Sequence, residues 1–258
     1  MQQDKKLAPN NVLSVAQGTL ILWLAWLMFN GGSSLAIVET NSSDAAQLAI
    51  VNTILSPAVG GMFTFFTKKH ILGGEAKETR LDLIGLTNGI LAGLVAITAG
   101  CDCVEPWAAL IIGCLGSITY TLGVKLMSFL KVDDPIEAFQ VHGCCGFMGC
   151  IFVAIFKKDE GLLYGAEGSG KLLGVQLLGA ISIFAWSFTV TAIFFVIGNA
   201  LGAVRMTEKD EIMGGDIYYF NSIKFDGKVN QYDLHSVMKD KVELHQIMTT
   251  AKKLNEDQ

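Results

Sequence analysis

Residues 132–156 read VDDPIEAFQVHGCCGFMGCIFVAIF, and this stretch places the signals of a helix start directly before a long apolar run. Asp134 suits the N-cap, Pro135 suits the first helical position, and Glu137 follows the cap at the spacing that closes a capping box. Asp133 adds negative charge where the helix dipole is positive. The pattern therefore predicts a helix that begins at Pro135 and is capped by this acidic group.

His142 lies inside the same predicted helix. It follows Asp134 by eight positions in the sequence, which at 1.5 Å per residue places it about 12 Å beyond the cap. Ionisable side chains at that depth in a membrane are rare and usually face a cavity or a partner. The structural alternative is a neutral imidazole that is hydrogen-bonded in a helix interface. We predict a functional role for His142.

The composition supports a membrane protein of several helices. Hydrophobic residues make up 51% of the 258 residues and charged residues only 17%, against about 25% charged in a typical soluble domain. Six stretches have roughly the 20 apolar residues that a helix needs to cross a hydrocarbon core of about 30 Å. We place them at residues 14–38, 45–66, 83–100, 106–130, 136–156 and 172–204. The fold class predicted is all-α and polytopic, with about six transmembrane helices.

Charges between the predicted helices indicate the orientation. Lysine and arginine concentrate in residues 5–6, 68–80 and 125–131 and at position 205, whereas residues 39–44 and 102–105 contain neither. The loop 157–171, with three lysines, is the exception. The positive-inside rule then places both termini in the cytoplasm. We divide the chain into a cytoplasmic segment 1–13, a membrane domain 14–205 and a polar tail 206–258, which is either a solvated tail or a weak amphipathic regulatory helix.

Polar and small residues inside the apolar runs predict close packing. The first run contains Asn30 and Ser33 beside two glycines, the second contains Asn52, Thr53, Ser56 and Pro57, and the third has small residues at helical spacing. Glycine follows His142 at positions 143, 146 and 149. Small faces of this kind let helices approach closely within a membrane.

Five motifs in this order resemble ammonium transporters of the Amt/Mep family. They are Trp-x-x-Phe-Asn-Gly-Gly-Ser at 26–33, Val-Asn-Thr at 51–53, Asn-Gly-x-x-Ala-Gly-Leu-Val-Ala-Ile-Thr at 88–98, Pro-Trp-x-Ala-Leu-Ile-Ile-Gly at 106–113 and Val-Asp-Asp-Pro-x-x-Ala-x-x-Val-His-Gly at 132–143. The similarity covers about residues 9–216, and these segments correspond to the family's sixth to eleventh helices.

The resemblance implies a homotrimer of eleven-helix subunits, each with a pore between two inverted repeats. By similarity, Phe29 is one of two gating phenylalanines, and Ser33 lies at the outer recruitment site, where aromatic rings hold ammonium. Trp26 belongs to the same binding and pore set, Thr98 lies near the lumen, and His142 is the second of two pore histidines. A cation over aromatic rings gains about 0.5–2 kcal/mol.

The resemblance also implies a mechanism. A bare ammonium ion enters an apolar tube only at a high desolvation cost, so deprotonated ammonia is the permeating species. Histidine can donate and accept hydrogen bonds, and it can relay the proton separately. The expected function is ammonium/ammonia transport, most simply across the plasma membrane, with an organellar membrane as the alternative. We expect no enzymatic activity, cofactor, metal or nucleic-acid partner.

One departure from the family keeps alternatives open. The family's first pore histidine, its second gating phenylalanine and its recruitment tryptophan belong to its first five helices, which this sequence lacks. The chain is therefore expected to be a fragment of a transporter, or half of a split transporter that pairs with a first-half subunit. The alternative is a structural or accessory membrane subunit that does not transport.

Overall fold

The computed structural model describes residues 11–35, 40–72 and 82–205. Within that part of the chain the regular elements are helical, apart from one isolated β-bridge between Val104 and Lys157. The α-helices are α1 (Val12–Gly32), α2 (Thr40–Leu72), α3 (Leu83–Thr98), α4 (Pro106–Leu130), α5 (Cys145–Phe156) and α6 (Ser169–Ala200). A π-helical segment, Phe139–Cys144, leads directly into α5, and a 3₁₀ turn, Leu162–Tyr164, precedes α6. The all-α prediction is confirmed.

Five stretches of the described chain are long and apolar enough to cross a membrane. They are α1, α4, α6, residues 44–68 of α2, and the π segment together with α5. The remaining predicted span, residues 83–100, corresponds to α3, which has 16 residues and therefore a length of about 24 Å. It is therefore shorter than the predicted stretch 83–100, because the backbone turns after Thr98.

Local sequence explains several helix ends. The side chain of Asn11 accepts the backbone N–H of Ser14 at the start of α1, at 3.1 Å. Asp82 does the same for Gly85 at the start of α3, at 2.7 Å. The helix α4 has the predicted bounds, with a proline at its first position and a left-handed residue, Lys131, after its last. Such caps satisfy backbone groups that have no partner inside the helix.

The core lies where α2, α3 and α4 pack together, with α1, the π segment and α5 against them. Glycines set the spacing at this contact. A Cβ atom on Gly93 would lie 2.7 Å from the backbone oxygen of Ser56, and one on Gly60 would lie 2.8 Å from the oxygen of Gly89. Gly149 is buried against Ala96 of α3 in the same way. The predicted small-residue packing is present at these positions.

The start of the fifth helix was predicted wrongly. The regular structure begins after Ala138 rather than at Pro135, because Glu137 has a left-handed backbone with φ of 57°. An α-helix cannot continue through that conformation. Asp134 still caps, since its carboxylate accepts the N–H of Ala138 at 3.0 Å and of Phe139 at 2.8 Å. Glu137 does not close a capping box: its side chain bonds to other helices. The third acidic residue, Asp133, is exposed.

The chain divides into two compact units, Met1–Ala185 and Trp186–Gln258. The first contains α1–α5 and the beginning of α6. In the second, the described residues are the end of α6 and the turn after it, where the Ala203 N–H donates to Gly198 O at 2.9 Å. The predicted cytoplasmic tail and most of the predicted N-terminal segment lie outside the described residues.

Candidate functional site

The π segment carries His142 with its side chain exposed, while the neighbouring Gln140 and Val141 are buried. A π-helical turn inserts one extra residue per turn and is common at functional sites. The buried Cys145 thiol donates to Gln140 O at 3.3 Å, at the end of this turn. An exposed imidazole at the fourth position of a membrane-spanning stretch, here Phe139–Phe156, faces lipid, the membrane–water interface, a lumen or another protein chain. Of these, lipid is the costly environment for a polar ring.

The structure brings four of the predicted site residues together where α1 and α3 end. The Trp26 Nε1 donates to the Thr98 Oγ1 at 2.8 Å, and the Thr98 hydroxyl donates to Leu94 O at 2.7 Å. Trp26 and Phe29 meet edge to face, with ring centroids 6.0 Å apart. The Ser33 hydroxyl donates to Phe29 O at 2.7 Å.

These hydrogen bonds determine which atoms of Trp26, Phe29, Ser33 and Thr98 remain available to a ligand. The Trp26 N–H and the Thr98 hydroxyl proton are both engaged within the chain, so neither is available as a donor to a ligand. The Ser33 oxygen keeps lone pairs that can accept a hydrogen bond. Phe29 is 60% exposed and offers a ring face. His142 lies on a different element, the π segment.

Several polar side chains of α1 and α2 hydrogen-bond to neighbouring elements, although the buried Asn52 Oδ1 has no partner among the described residues. The Asn30 Nδ2 donates to the Thr53 Oγ1 at 2.9 Å, and the Trp23 Nε1 donates to Thr53 O at 3.1 Å. Asn52, fully buried, donates to Cys101 O and Val104 O. These bonds join α1, α2 and the turn after α3.

A buried charged cluster was missed from the sequence, where Lys68 was counted only as a loop charge. The Lys68 Nζ donates to the Tyr120 hydroxyl at 2.8 Å and lies 3.5 Å from the Glu137 Oε2 and 3.7 Å from the Asp82 Oδ2. Glu137 also accepts hydrogen bonds from the Tyr120 hydroxyl and, at 2.7 Å, from the Asn88 Nδ2. The available signal was Tyr120 within an otherwise apolar run, whereas Lys68 lies just after the predicted span 45–66.

A second polar cluster joins the turn before α4 to the turn before α6. Glu105 accepts hydrogen bonds from the Trp107 Nε1 at 2.9 Å and the Tyr164 hydroxyl at 2.8 Å, and Lys158 lies 3.8 Å away. The bond from Trp107, followed by the one from Tyr164, lowers the pKa of the Glu105 carboxyl below its usual value. The bond to Glu105 raises the pKa of Tyr164 to about 12. In the described ranges, no three His, Cys, Asp or Glu side chains come together as a possible metal site.

In the part of the chain that the structure describes, five apolar stretches of spanning length, with polar side chains held between the helices, define an α-helical integral membrane protein. The chain belongs to the Ammonium Transporter Family, whose profile matches residues 1–225.

Relatives of known sequence and structure support this membership. The chain is 38% identical to the putative ammonium transporter 1 member 5 of Arabidopsis thaliana over 223 residues, which cover 79% of this chain and 44% of that protein. It is 35% identical to ammonium transporter 1 of Schizosaccharomyces pombe, covering 82% and 43%.

Among solved structures, Mep2 of Saccharomyces cerevisiae matches with a TM-score of 0.70 and 30% identity, over 84% of this chain and 48% of that one. A sensor Amt protein also matches with a TM-score of 0.70, at 35% identity, over 81% and 49%. The chain thus spans about half the length of the relatives it matches.

Proposed function

We propose that this chain supplies one half of a pore that transports ammonium and ammonia across a membrane. The observation that carries the proposal is the exposed His142, the fourth residue of the membrane-spanning stretch Phe139–Phe156. A polar ring there is stable when a second half of the pore covers it and encloses a lumen. Family membership supports the choice of substrate, because the relatives are named as ammonium transporters.

The proposed route uses the residues in order. Ammonium is recruited at the end of α1, where the Ser33 oxygen accepts an N–H and the exposed Phe29 ring offers its π face. Trp26, held by Thr98, positions that aromatic group. The ion gives up its proton before it enters the apolar tube, because an unpaired charge there is costly. His142 then hydrogen-bonds ammonia and takes part in moving the proton.

The assembly proposed is a pore completed by a first-half segment, either as part of a longer chain or as a separate subunit, and arranged as a trimer. Both termini face the cytoplasm, and the plasma membrane is the proposed location. The basic loops on one side support this orientation.

The test uses the assembly that contains this chain, purified from its native membranes through a tag at the carboxy terminus. After reconstitution into proteoliposomes, an ammonium concentration jump should give uptake or a current. His142→Ala should abolish it. His70→Ala is the matched control, because His70 is exposed at the end of α2, beyond the spanning stretch 44–68, and it should leave uptake unchanged.

Two outcomes would contradict the proposal. Uptake that survives His142→Ala would remove the role assigned to that histidine. An intact assembly without any ammonium-dependent signal would favour the structural-subunit alternative, in which the half-fold acts as a scaffold.

A further inference from the structure

Glu137 adopts a backbone conformation that a glutamate rarely takes. Its φ is 57°, in the left-handed region that is costly for residues other than glycine, asparagine or aspartate. Such a residue persists where its surroundings over-determine its position. Only Ala138 separates Glu137 from the π segment, and an α-helix cannot pass through the left-handed conformation of Glu137. The conformation of Glu137 therefore sets where the π segment begins.

The side chain of Glu137 is held from three helices. Lys68 comes from the end of α2, Asn88 from α3 and Tyr120 from α4, and all three converge on the same carboxylate oxygen. The side chain of Lys68 is 11% exposed and that of Glu137 is 21% exposed. In such an environment each charge stabilises the other: if either Lys68 or Glu137 is removed, the remaining buried charge is unpaired, which is strongly unfavourable.

Three further hydrogen bonds hold the chain at the start of the π segment. The Val141 N–H donates to Glu137 O at 3.1 Å, and the Asp134 carboxylate accepts the N–H groups of Ala138 and Phe139. The first turn of the π segment is therefore held by the backbone oxygen of Glu137 and by the side chain of Asp134. His142 follows immediately after Val141.

We propose that Lys68, Asn88 and Tyr120 form a positioning cluster that, through Glu137, sets the start of the π segment and so the place of His142. The expected effect of the cluster on transport rests on the proposed pore function. Its effect on the position of the π segment does not depend on that proposal. The members of the cluster bond to one another, so they are positioning residues rather than ligands of the transported species.

The first test measures amide hydrogen exchange in the full chain reconstituted in lipid nanodiscs. Lys68→Met leaves the Glu137 carboxylate without its cation, so we expect the amides of residues 138–145 to exchange at least about tenfold faster. Lys125→Met is the matched control, because Lys125 is an exposed lysine of α4, and it should leave these amides unchanged. Amides in the middle of α3 should keep their protection in both variants.

A charge-neutral double variant separates positioning from general damage. Lys68→Met with Glu137→Gln removes both charges while the glutamine oxygen can still accept from Tyr120 and Asn88. It should therefore recover most of the protection that Lys68→Met loses, as coupled partners do. If Lys68→Met does not fold, Tyr120→Phe gives the same test with one hydroxyl removed, and Tyr164→Phe is its control.

The second test measures uptake by the native assembly. Lys68→Met should lower the maximal rate by about tenfold and leave the apparent KM nearly unchanged, because the residues at the end of α1 are untouched. The double variant should regain part of the rate. Unchanged exchange at 138–145 in both Lys68→Met and Tyr120→Phe would overturn the cluster's role, whatever the transport result. Uptake that is insensitive to His142→Ala would instead overturn the pore proposal and leave the exchange result as the test of the cluster.

Discussion

At the scale of single residues, Asn52 is a buried amide that holds a turn of the chain against α2. Its Nδ2 donates to Cys101 O at 2.9 Å and to Val104 O at 2.8 Å. A buried polar group that loses its partner costs about 1–3 kcal/mol. Asn52→Leu removes the amide donor from the backbone carbonyls of Cys101 and Val104. We expect this variant to lower the free energy of unfolding by about 3 kcal/mol.

Unfolding of the chain in detergent micelles by added SDS, followed by tryptophan fluorescence, measures the effect. Asn199→Leu is the matched control, because Asn199 is exposed on α6. Similar losses in the two variants would show that the amide bonds of Asn52 contribute little.

Glu105 should make the stability of the chain depend on pH. Its hydrogen bonds lower its pKa in the folded chain below the usual value of 4.5. The ionised Glu105 carboxylate therefore stabilises the folded chain at pH values above 4.5. This stabilisation is lost as the pH falls through the lower pKa of the folded chain. Wild type should be more stable than Glu105→Gln at neutral pH, and the difference should shrink on acidification from about pH 5 to pH 3.

Apparent melting temperatures over this pH range provide the measurement, with Glu167→Gln as the control, since Glu167 is exposed. A difference between wild type and Glu105→Gln that stays constant with pH would contradict the assignment.

The sequence made some residues candidates for the site because their type is unusual for their surroundings. An ionisable ring in a long apolar run made His142 such a candidate; the structure shows it exposed, and its role in transport stays a prediction. Glu137 was misplaced because its local pattern fits a capping box. Its actual partners come from far along the chain, since Asn88 is 49 positions and Tyr120 is 17 positions away. No local rule contains that information.

At the scale of helices, glycines decide how closely α2, α3 and α4 pack. A Cβ on Gly93 would lie 2.7 Å from the backbone oxygen of Ser56. Backbone cannot move aside as a flexible side chain can, and overpacking of this kind costs about 1–3 kcal/mol. We expect Gly93→Ala to destabilise the chain by that amount, measured by the same SDS unfolding. Gly174→Ala in α6, where nothing lies within 4 Å of the added carbon, should be neutral or slightly stabilising because alanine favours helix. Equal effects would contradict this account.

Helix ends were predictable where the signal is local. The bounds of α4 agree with the sequence because Pro106 fits the first helical position and a left-handed residue ends the last turn. The end of α3 was predicted too late, since apolar residues continue beyond the point where the backbone turns. The start of the π segment was not predictable, because it depends on a side chain that α2, α3 and α4 hold together.

At the scale of the whole molecule, buried polar side chains differ in exposure from two of the residues assigned to transport. Asn30, Asn52, Thr53 and Tyr120 are buried and bonded within the chain, so they stabilise the helix bundle itself. The buried polar residues thus bond within the chain, although the Asn52 Oδ1 has no partner among the described residues. Of the residues assigned to transport, Trp26 and Thr98 bond to each other, whereas the side chains of Phe29 and His142 are exposed.

This distribution predicts how residues 1–258 behave without other chains. Because the side chains of Phe29 and His142 are exposed within the described part of the chain, that part does not enclose them in a lumen. Proteoliposomes that contain only residues 1–258 should therefore show no ammonium-dependent current, whereas the native assembly at equal protein should show one. Proton leak measured in both preparations controls for intact vesicles. A saturable ammonium current from residues 1–258 alone, abolished by His142→Ala but not by His70→Ala, would contradict the prediction. It would mean that copies of this chain cover His142 for one another.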